Sequence, residues 1–227
     1  PPGSSGCPPR RSRASNGAVI ITTRTGRRGQ KNEVTVNSTV TFSNILKLPD
    51  FQNSYGQGYL IGFDDDNNPE YFNDPIENWS WGPPFTGDMQ EWGQQINGER
   101  LLKPYAAEPD NVRKFFELGK MINNTVSFAG SGDKTTFYLS LNSLNSDGIY
   151  PDNKDNYNRY NARFNGTAQL SNKFTASIGI NYSRVNSNLV EGGQGSGSVF
   201  DNVLQTPRDI PSHKMGDLNN PYFGYGF

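Results

Sequence analysis

The sequence predicts an all-β fold: an antiparallel run of long strands with one apolar and one polar face, of the kind that closes into a transmembrane β-barrel with long extracellular loops. Three observations point there. Apolar and polar residues alternate over several segments. Those segments are about 9 to 14 residues long, where strands of soluble sheets cluster near 5 or 6. The connections between them alternate long and short, as in bacterial barrels.

Composition agrees. In 227 residues, 21 Lys plus Arg face 22 Asp plus Glu, a net charge of −1. That balance argues against nucleic acid as a partner, because binding phosphates needs an excess of cations. Twenty-five Gly and 15 Pro make the chain turn-rich. The longest aliphatic run, residues 18 to 21, falls far short of the roughly 20 residues that a membrane-spanning helix requires. Cys7 is the single cysteine, which excludes an internal disulfide framework. Pro1 stands where a start Met would, and no charged-then-apolar leader precedes anything, so the chain reads as a fragment.

Residues 1 to 11, PPGSSGCPPRR, have no periodicity and are left unassigned, either disordered or foreign to the natural protein. Residues 17 to 24, GAVIITTR, are β-branched and bounded by Gly17 and Gly26, which suits a buried strand. Arg24, Arg27, Arg28 and Lys31 then form a basic connector with Gly26 and Gly29 between them.

Five alternating strands follow, near residues 34–43, 123–130, 134–144, 157–170 and 174–185. In the first, Val34, Val36, Val40 and Phe42 alternate with Thr35, Asn37, Thr39 and Thr41. In the last two, Phe164 and Leu170, then Phe174, Ile178, Ile180 and Tyr182, fall on one face, opposite Asn, Thr, Ser and Arg. On a barrel these six residues face lipid, while the polar face lines a wet lumen. Matching the apolar faces of neighbours demands an even loop between the second and third strands. A two-residue turn at Gly132 and Asp133, with φ > 0 at the glycine, satisfies it. The last hairpin demands an odd loop, supplied by Ser171, Asn172 and Lys173, and this sets Phe164 opposite Ile180. Tyr160 and Tyr182 fall near one end, where an interfacial aromatic belt would sit. Residues 111 to 120 read as a helix entered through Pro109 and Asp110.

Several of these segments resemble, in order, the TonB-dependent outer-membrane transporters of the SusC/RagA type. SRASNGAVIITTRTG, residues 12 to 26, resembles the final strand of that family's plug domain. LPDFQNSYGQG (48 to 58) and SWGPPFTG (80 to 87) resemble its first large loop. PDNVRKFFELGK (109 to 120) and NNTVSFAGSGDKTTFYLSLNSLNSDGIYPDN (123 to 153) resemble its next strands and loop, and LQTPRDIP (204 to 211) with NNPYF (219 to 223) a later loop. The family's small-residue, Leu-Tyr-Gly stretch is replaced here by CPPRR. The resemblance implies that residues 12 to 31 end a plug domain and residues 32 to 227 begin a barrel. It implies active import of oligosaccharides or peptides across the outer membrane of a Gram-negative bacterium. The implied partners are the TonB complex and a SusD-like surface lipoprotein acting as lid, with no cofactor and no enzymatic activity. About five strands cannot close a barrel, so the piece alone would not transport.

No motif selects a catalytic centre. His213 is the only histidine, in a loop beside Ser212. Asp64, Asp66, Asn68 and Glu70 present oxygens on alternate positions, but without the turning Gly and distal Glu of a calcium loop; they read as a weak calcium candidate or as a solvated acidic loop. GGQGSG, residues 192 to 197, lacks the spacing of a phosphate cradle. Trp79, Trp81, Trp92 and Tyr55, with Tyr59, Tyr71 and Phe85, crowd the first long loop. Such rings stack on sugars or on one another, so the group is either a substrate platform or the core of its own loop. The competing architecture is a secreted all-β carbohydrate-binding or adhesin module, in which a second sheet covers the apolar face.

Overall fold

The computed structural model describes residues 24–75, 77–193, 195, 197–217 and 219–223. In chain order the elements are β1 (Glu33–Ser43), β2 (Tyr59–Phe63), β3 (Pro69–Phe72), β4 (Met89–Ile96), β5 (Glu99–Pro104), α1 (Asn111–Phe115), β6 (Gly119–Ser131), β7 (Thr135–Asp147), β8 (Asn156–Ser171), β9 (Phe174–Ser187) and α2 (Val199–Gln205). Strand accounts for 48% against 11% helix, so the all-β reading holds. Among the described residues no helix is long and apolar enough to cross a membrane, which leaves crossing by strands open. The five long strands form one sheet in the order β1-β6-β7-β8-β9. β2-β3 and β4-β5 are separate two-stranded sheets inside the first long loop. The chain divides into two compact units, one of Ser127–Ser140 and Arg163–Asn181 with the chain up to Thr35, the other of Val36–Val126, Leu141–Ala162 and Tyr182–Phe227.

The strand of residues 17 to 24 falls almost wholly outside the described residues, as does Cys7. The five long strands overlap the alternating segments, with β6 beginning at Gly119, ahead of the segment near 123 and within the stretch read as helix. The two small hairpins go beyond the alternation, because their strands, of four to eight residues, lack a clean period of two.

Two local expectations need correction. The turn between β6 and β7 lies one residue later than predicted. The Gly132 amide donates to the Thr135 carbonyl at 3.0 Å, leaving Asp133 and Lys134 as the turn residues, and Gly132 does not take positive φ. The loop parity is kept, so the apolar faces still coincide. The predicted helix of residues 111 to 120 stops at Phe115: Phe116 is already extended at φ −88° and ψ 144°, and the Glu117 amide pairs with the Ile149 carbonyl at 2.8 Å. Phe116 turns inward instead, into a core with Val112 and Val203. Burying that ring outweighs one more helical turn.

In the second unit the register is fixed by contacts between neighbouring strands. The Asn188 amide donates to the Asn156 carbonyl at 2.9 Å. Asn145 Nδ2 reaches Asn158 at 2.7 Å, Asn142 Nδ2 reaches Thr125 at 2.9 Å, and Ser38 Oγ reaches Asn124 at 2.7 Å. Counting from these contacts sets Val36, Val126, Leu141, Ala162 and Tyr182 in one row across the apolar face. In the first unit the Ile178 side chain lies 3.5 Å from where a Cβ on Gly166 would stand, and the same count puts Phe164 opposite Ile180.

Candidate functional site

Three features of the chain can meet a ligand or a membrane: the apolar face of the sheet, its polar face, and the aromatic group in the first loop.

On the apolar face, Leu170, Phe174, Ile178, Ile180 and Tyr182 are 55 to 64% exposed, and Phe164 is half-buried. Val34, Val36, Val40 and Phe42 of β1 are 50 to 68% exposed. Among the described residues no second sheet is stacked on these side chains. Val126, Leu141, Tyr160, Ala162 and Tyr182 surround a shallow apolar concavity of about 410 Å³.

The polar face of the first unit carries chain instead. Residues 24 to 30 lie across it. The Arg24 carbonyl accepts from Asn165 Nδ2 at 2.8 Å and the Gln30 carbonyl from Ser131 Oγ at 2.9 Å. Arg28 donates to the side-chain oxygen of Gln169. Gly26 comes so close that a Cβ there would stand 2.6 and 2.8 Å from the Phe137 carbonyl oxygen and amide nitrogen and 3.0 Å from the Gly130 oxygen. Only glycine fits such an approach.

In the aromatic group, Trp79 packs on Tyr59 with ring centroids 4.6 Å apart, and Trp81 on Tyr55 at 5.7 Å. Tyr71 and Phe72 back these pairs, and burial raises the Tyr71 phenol above its ordinary range. Trp79 and Trp81 remain 51% and 61% exposed. Their backbone is pinned: the Gly58 amide donates to the Trp79 carbonyl at 2.9 Å, and the Trp81 amide returns a bond to Gly58 at 3.0 Å. Gln52 Nε2 holds the Tyr55 and Ser80 carbonyls at 2.8 Å each. Trp92 is different. It is 8% exposed and lies against Phe223, so its faces are spent on packing and it leaves the group of candidate ligand-stacking rings.

The acidic run is the turn of the β2-β3 hairpin. Asp64 accepts from the Asp66 amide at 3.0 Å, the Asn68 amide at 2.7 Å and Asn68 Nδ2 at 3.0 Å. These bonds, those from Asn68 foremost, hold its carboxyl below the usual range. Glu70 sits on β3 opposite Gly62. Among the described residues no cluster of three His, Cys, Asp or Glu is arranged to hold a metal ion, and the Asp64 oxygens are committed to the turn.

Reading the sequence alone misses the hub of the second unit. Arg208, 3% exposed, bonds through Nε to the Gln52 carbonyl at 3.0 Å and through Nη2 to Asn53 at 2.9 Å and the Pro109 carbonyl at 3.1 Å. Its guanidinium also lies 4.7 Å from the Phe51 ring centroid, and burial lowers its pKa. Next to it, Asp209 takes the Gln57 amide at 2.9 Å and Lys103 Nζ at 2.6 Å. Asn111, fully buried, donates to the Ile210 carbonyl at 2.5 Å and accepts from Ser212 Oγ at 3.0 Å. His213 Nδ1 meets the same Asn111 oxygen at 3.3 Å, so the lone histidine is a partner in packing. The available signal was a charged pair set between Pro207 and Ile210, a place where loops seldom put charge unless it is paired.

No family model matches the chain. Among curated proteins, TonB-dependent receptor P26 of Formosa agariphila is 24% identical over 232 residues, covering 95% of this chain and 21% of that protein. The chain is thus similar to a TonB-dependent receptor along nearly its whole length, and spans about a fifth of that protein.

Proposed function

We propose that the chain is part of a TonB-dependent outer-membrane transporter of the SusC/RagA type. Residues 12 to 31 end its plug and residues 32 to 227 begin its barrel. The whole protein would import oligosaccharides or peptides across a Gram-negative outer membrane, driven by the TonB complex and capped by a SusD-like lipoprotein. This reading makes the chain a binding and transport module rather than an enzyme.

One observation carries the membrane assignment. In the second unit, Tyr182 is the last apolar residue on its face of β9, and Arg184 and Asn186 follow it. On β1 the apolar face continues to Phe42, six residues beyond Val36, although Val36 and Tyr182 share a row. Six residues are about 20 Å along a strand, and the four steps from β1 to β9 are about 19 Å across the sheet. Measured between these two outer strands, the apolar limit is displaced at roughly 45° to the strands, with an uneven course between them that ends at Leu141 on β7 and Tyr160 on β8, and barrel strands tilt by about 35–45° from the membrane normal. An apolar edge that is oblique to the strands by the barrel tilt is level in a bilayer. A sandwich has no reason to displace its apolar edge in this way, because its covering sheet follows the strand rows.

Two further observations support the reading. Residues 24 to 30 cross the polar face, where a plug enters a lumen. Trp79 and Trp81, fixed on Tyr59 and Tyr55 with their outer faces open, suit a substrate that presents flat apolar faces, such as a sugar ring. The test is made on the full-length gene product. It should sediment with outer membranes, need detergent for extraction, and co-purify with a surface lipoprotein. Recovery as a monomer from the soluble fraction without detergent would refute the proposal.

A further inference from the structure

We infer that the polar face of the first unit holds an anion-binding bay, and that it receives carboxylate or sulfate groups of an acidic oligomer. The inference rests on the reading that this face lines the lumen, and it goes beyond that reading by assigning a charge class of ligand.

Arg24, Arg27 and Arg28 line one concavity of about 790 Å³ together with Tyr138 and Ser127, and the single acidic side chain on its wall is Glu33. Three guanidinium groups against one carboxylate leave an excess of two positive charges. Yet the two salt bridges among the described residues, Lys103–Asp209 and Lys114–Glu108, both lie elsewhere. Arg28 bonds a neutral amide oxygen. Glu33 meets neutral groups, Gln30 Nε2 and Thr35 Oγ1, at 3.4 Å each.

The arginines are also held ready. The turn that carries them is closed by the Gln30 amide on the Arg27 carbonyl at 3.1 Å and by the Arg27 amide on Gln30 Oε1 at 3.2 Å. The turn is tied to the sheet at Arg24, Gly26 and Gln30, as described above. On the same face of β8, two residues from the Asn165 that holds Arg24, Arg163 has its Nε buried without a partner. Arg163 does not line the bay but adds to the positive charge on this face, which a bound anion would offset. Three exposed guanidinium groups without a countercharge, carried on a backbone tied to the sheet, offer the forked donors that suit carboxylate or sulfate.

The experiment uses the full-length transporter in detergent and measures binding of oligogalacturonate, sulfated dextran oligomer, neutral maltohexaose and sodium sulfate by calorimetry. The proteins compared are wild type, Arg27→Gln/Arg28→Gln, and the charge-keeping Arg27→Lys/Arg28→Lys. At least one of the two polyanions should bind wild type, lose about tenfold or more in affinity in the Gln pair, and weaken as salt rises. The Lys pair, which keeps the charge but loses the fork, should fall between wild type and the Gln pair, and maltohexaose should be indifferent to all of these changes. Sulfate alone saturating the bay, with the same loss in the Gln pair, would support the anion site with a free ion as its source. Failure of wild type to bind either polyanion or sulfate, or equal affinities in wild type and the Gln pair, would overturn the inference. Outer-membrane sedimentation of both variants, followed in parallel, reports separately on the transporter reading.

Discussion

Ile178 sits at the middle of the apolar run on β9, four residues from Phe174 and four from Tyr182, and its side chain is 55% exposed. If that exposure is to water, Ile178→Arg is a surface change and costs within about 0.5 kcal/mol. If it is to hydrocarbon, an arginine near the bilayer midplane costs about 2–4 kcal/mol. At about 1.4 kcal/mol per tenfold, that lowers the folding constant by a factor of about 30 to 700. The neighbouring Ser177, also exposed but on the polar face, supplies the control, since Ser177→Arg should stay within about 0.5 kcal/mol. The assay is reversible denaturant unfolding of the full-length barrel in lipid vesicles, followed by Trp fluorescence. Arginine at residues 174, 178 and 182 in turn should trace a cost that peaks in the middle and falls to about 0–1 kcal/mol at the ends. Equal costs at Ile178 and Ser177, or a flat profile along β9, would refute the membrane reasoning.

Four other outcomes follow from the geometry. Trp79→Ala and Trp81→Ala should weaken binding of an oligosaccharide while leaving the unfolding midpoint nearly unchanged, whereas Trp92→Ala should cost about 3–5 kcal/mol of stability; calorimetry and thermal unfolding separate the two effects. Asp209→Asn leaves Lys103 without its countercharge and should destabilise the second unit by about 3 kcal/mol, seen as faster protease cleavage of the loop of residues 44 to 118. Gly26→Val drives side-chain atoms into the Phe137 and Gly130 backbones and should release residues 24 to 30 from the polar face, read as faster amide exchange there with that of α2 unchanged. Lowering the pH should loosen residues 204 to 215 in two steps. Burial holds the His213 pKa below its ordinary value, so the stability it contributes is present above about 6.5 and is lost as the pH falls through the depressed value. Glu108, held low chiefly by its bond from Lys114, contributes stability above its ordinary pKa that is lost only at still lower pH. His213→Gln should abolish the first step in a hydrogen-exchange pH series and keep the second.

How far the sequence could be read depended on the range of the interactions involved. The long strands are legible because each residue's side is set by parity alone, so Tyr160 to Leu170 declares its two faces without reference to any partner. Loop parity carried this as far as the Phe164–Ile180 pairing. It could not separate turn residues 132–133 from 133–134, since both keep the faces aligned. The first loop was opaque for the opposite reason. Its order comes from Arg208 and Asp209 reaching residues more than 100 positions away, and no local pattern announces such contacts. Trp92 shows the same limit: three tryptophans look alike in sequence, and only the course of the chain decides that one is covered by Phe223 while two stay open. The arginine bay was visible only as a basic connector, because its meaning depends on the face against which it lies.

The tie between Arg208, Asp209 and the two halves of the first loop divides that excursion into a fixed chassis and free tips. Residues 52 to 57 and 103 to 111 are clamped from one tetrapeptide, while the ends of the β2-β3 and β4-β5 hairpins, at residues 64 to 68 and 97 to 98, bear on none of its bonds. Substitutions and length changes at those ends can accumulate without dismantling the clamp, so ligand preference can diversify among descendants while the scaffold that presents it is inherited intact.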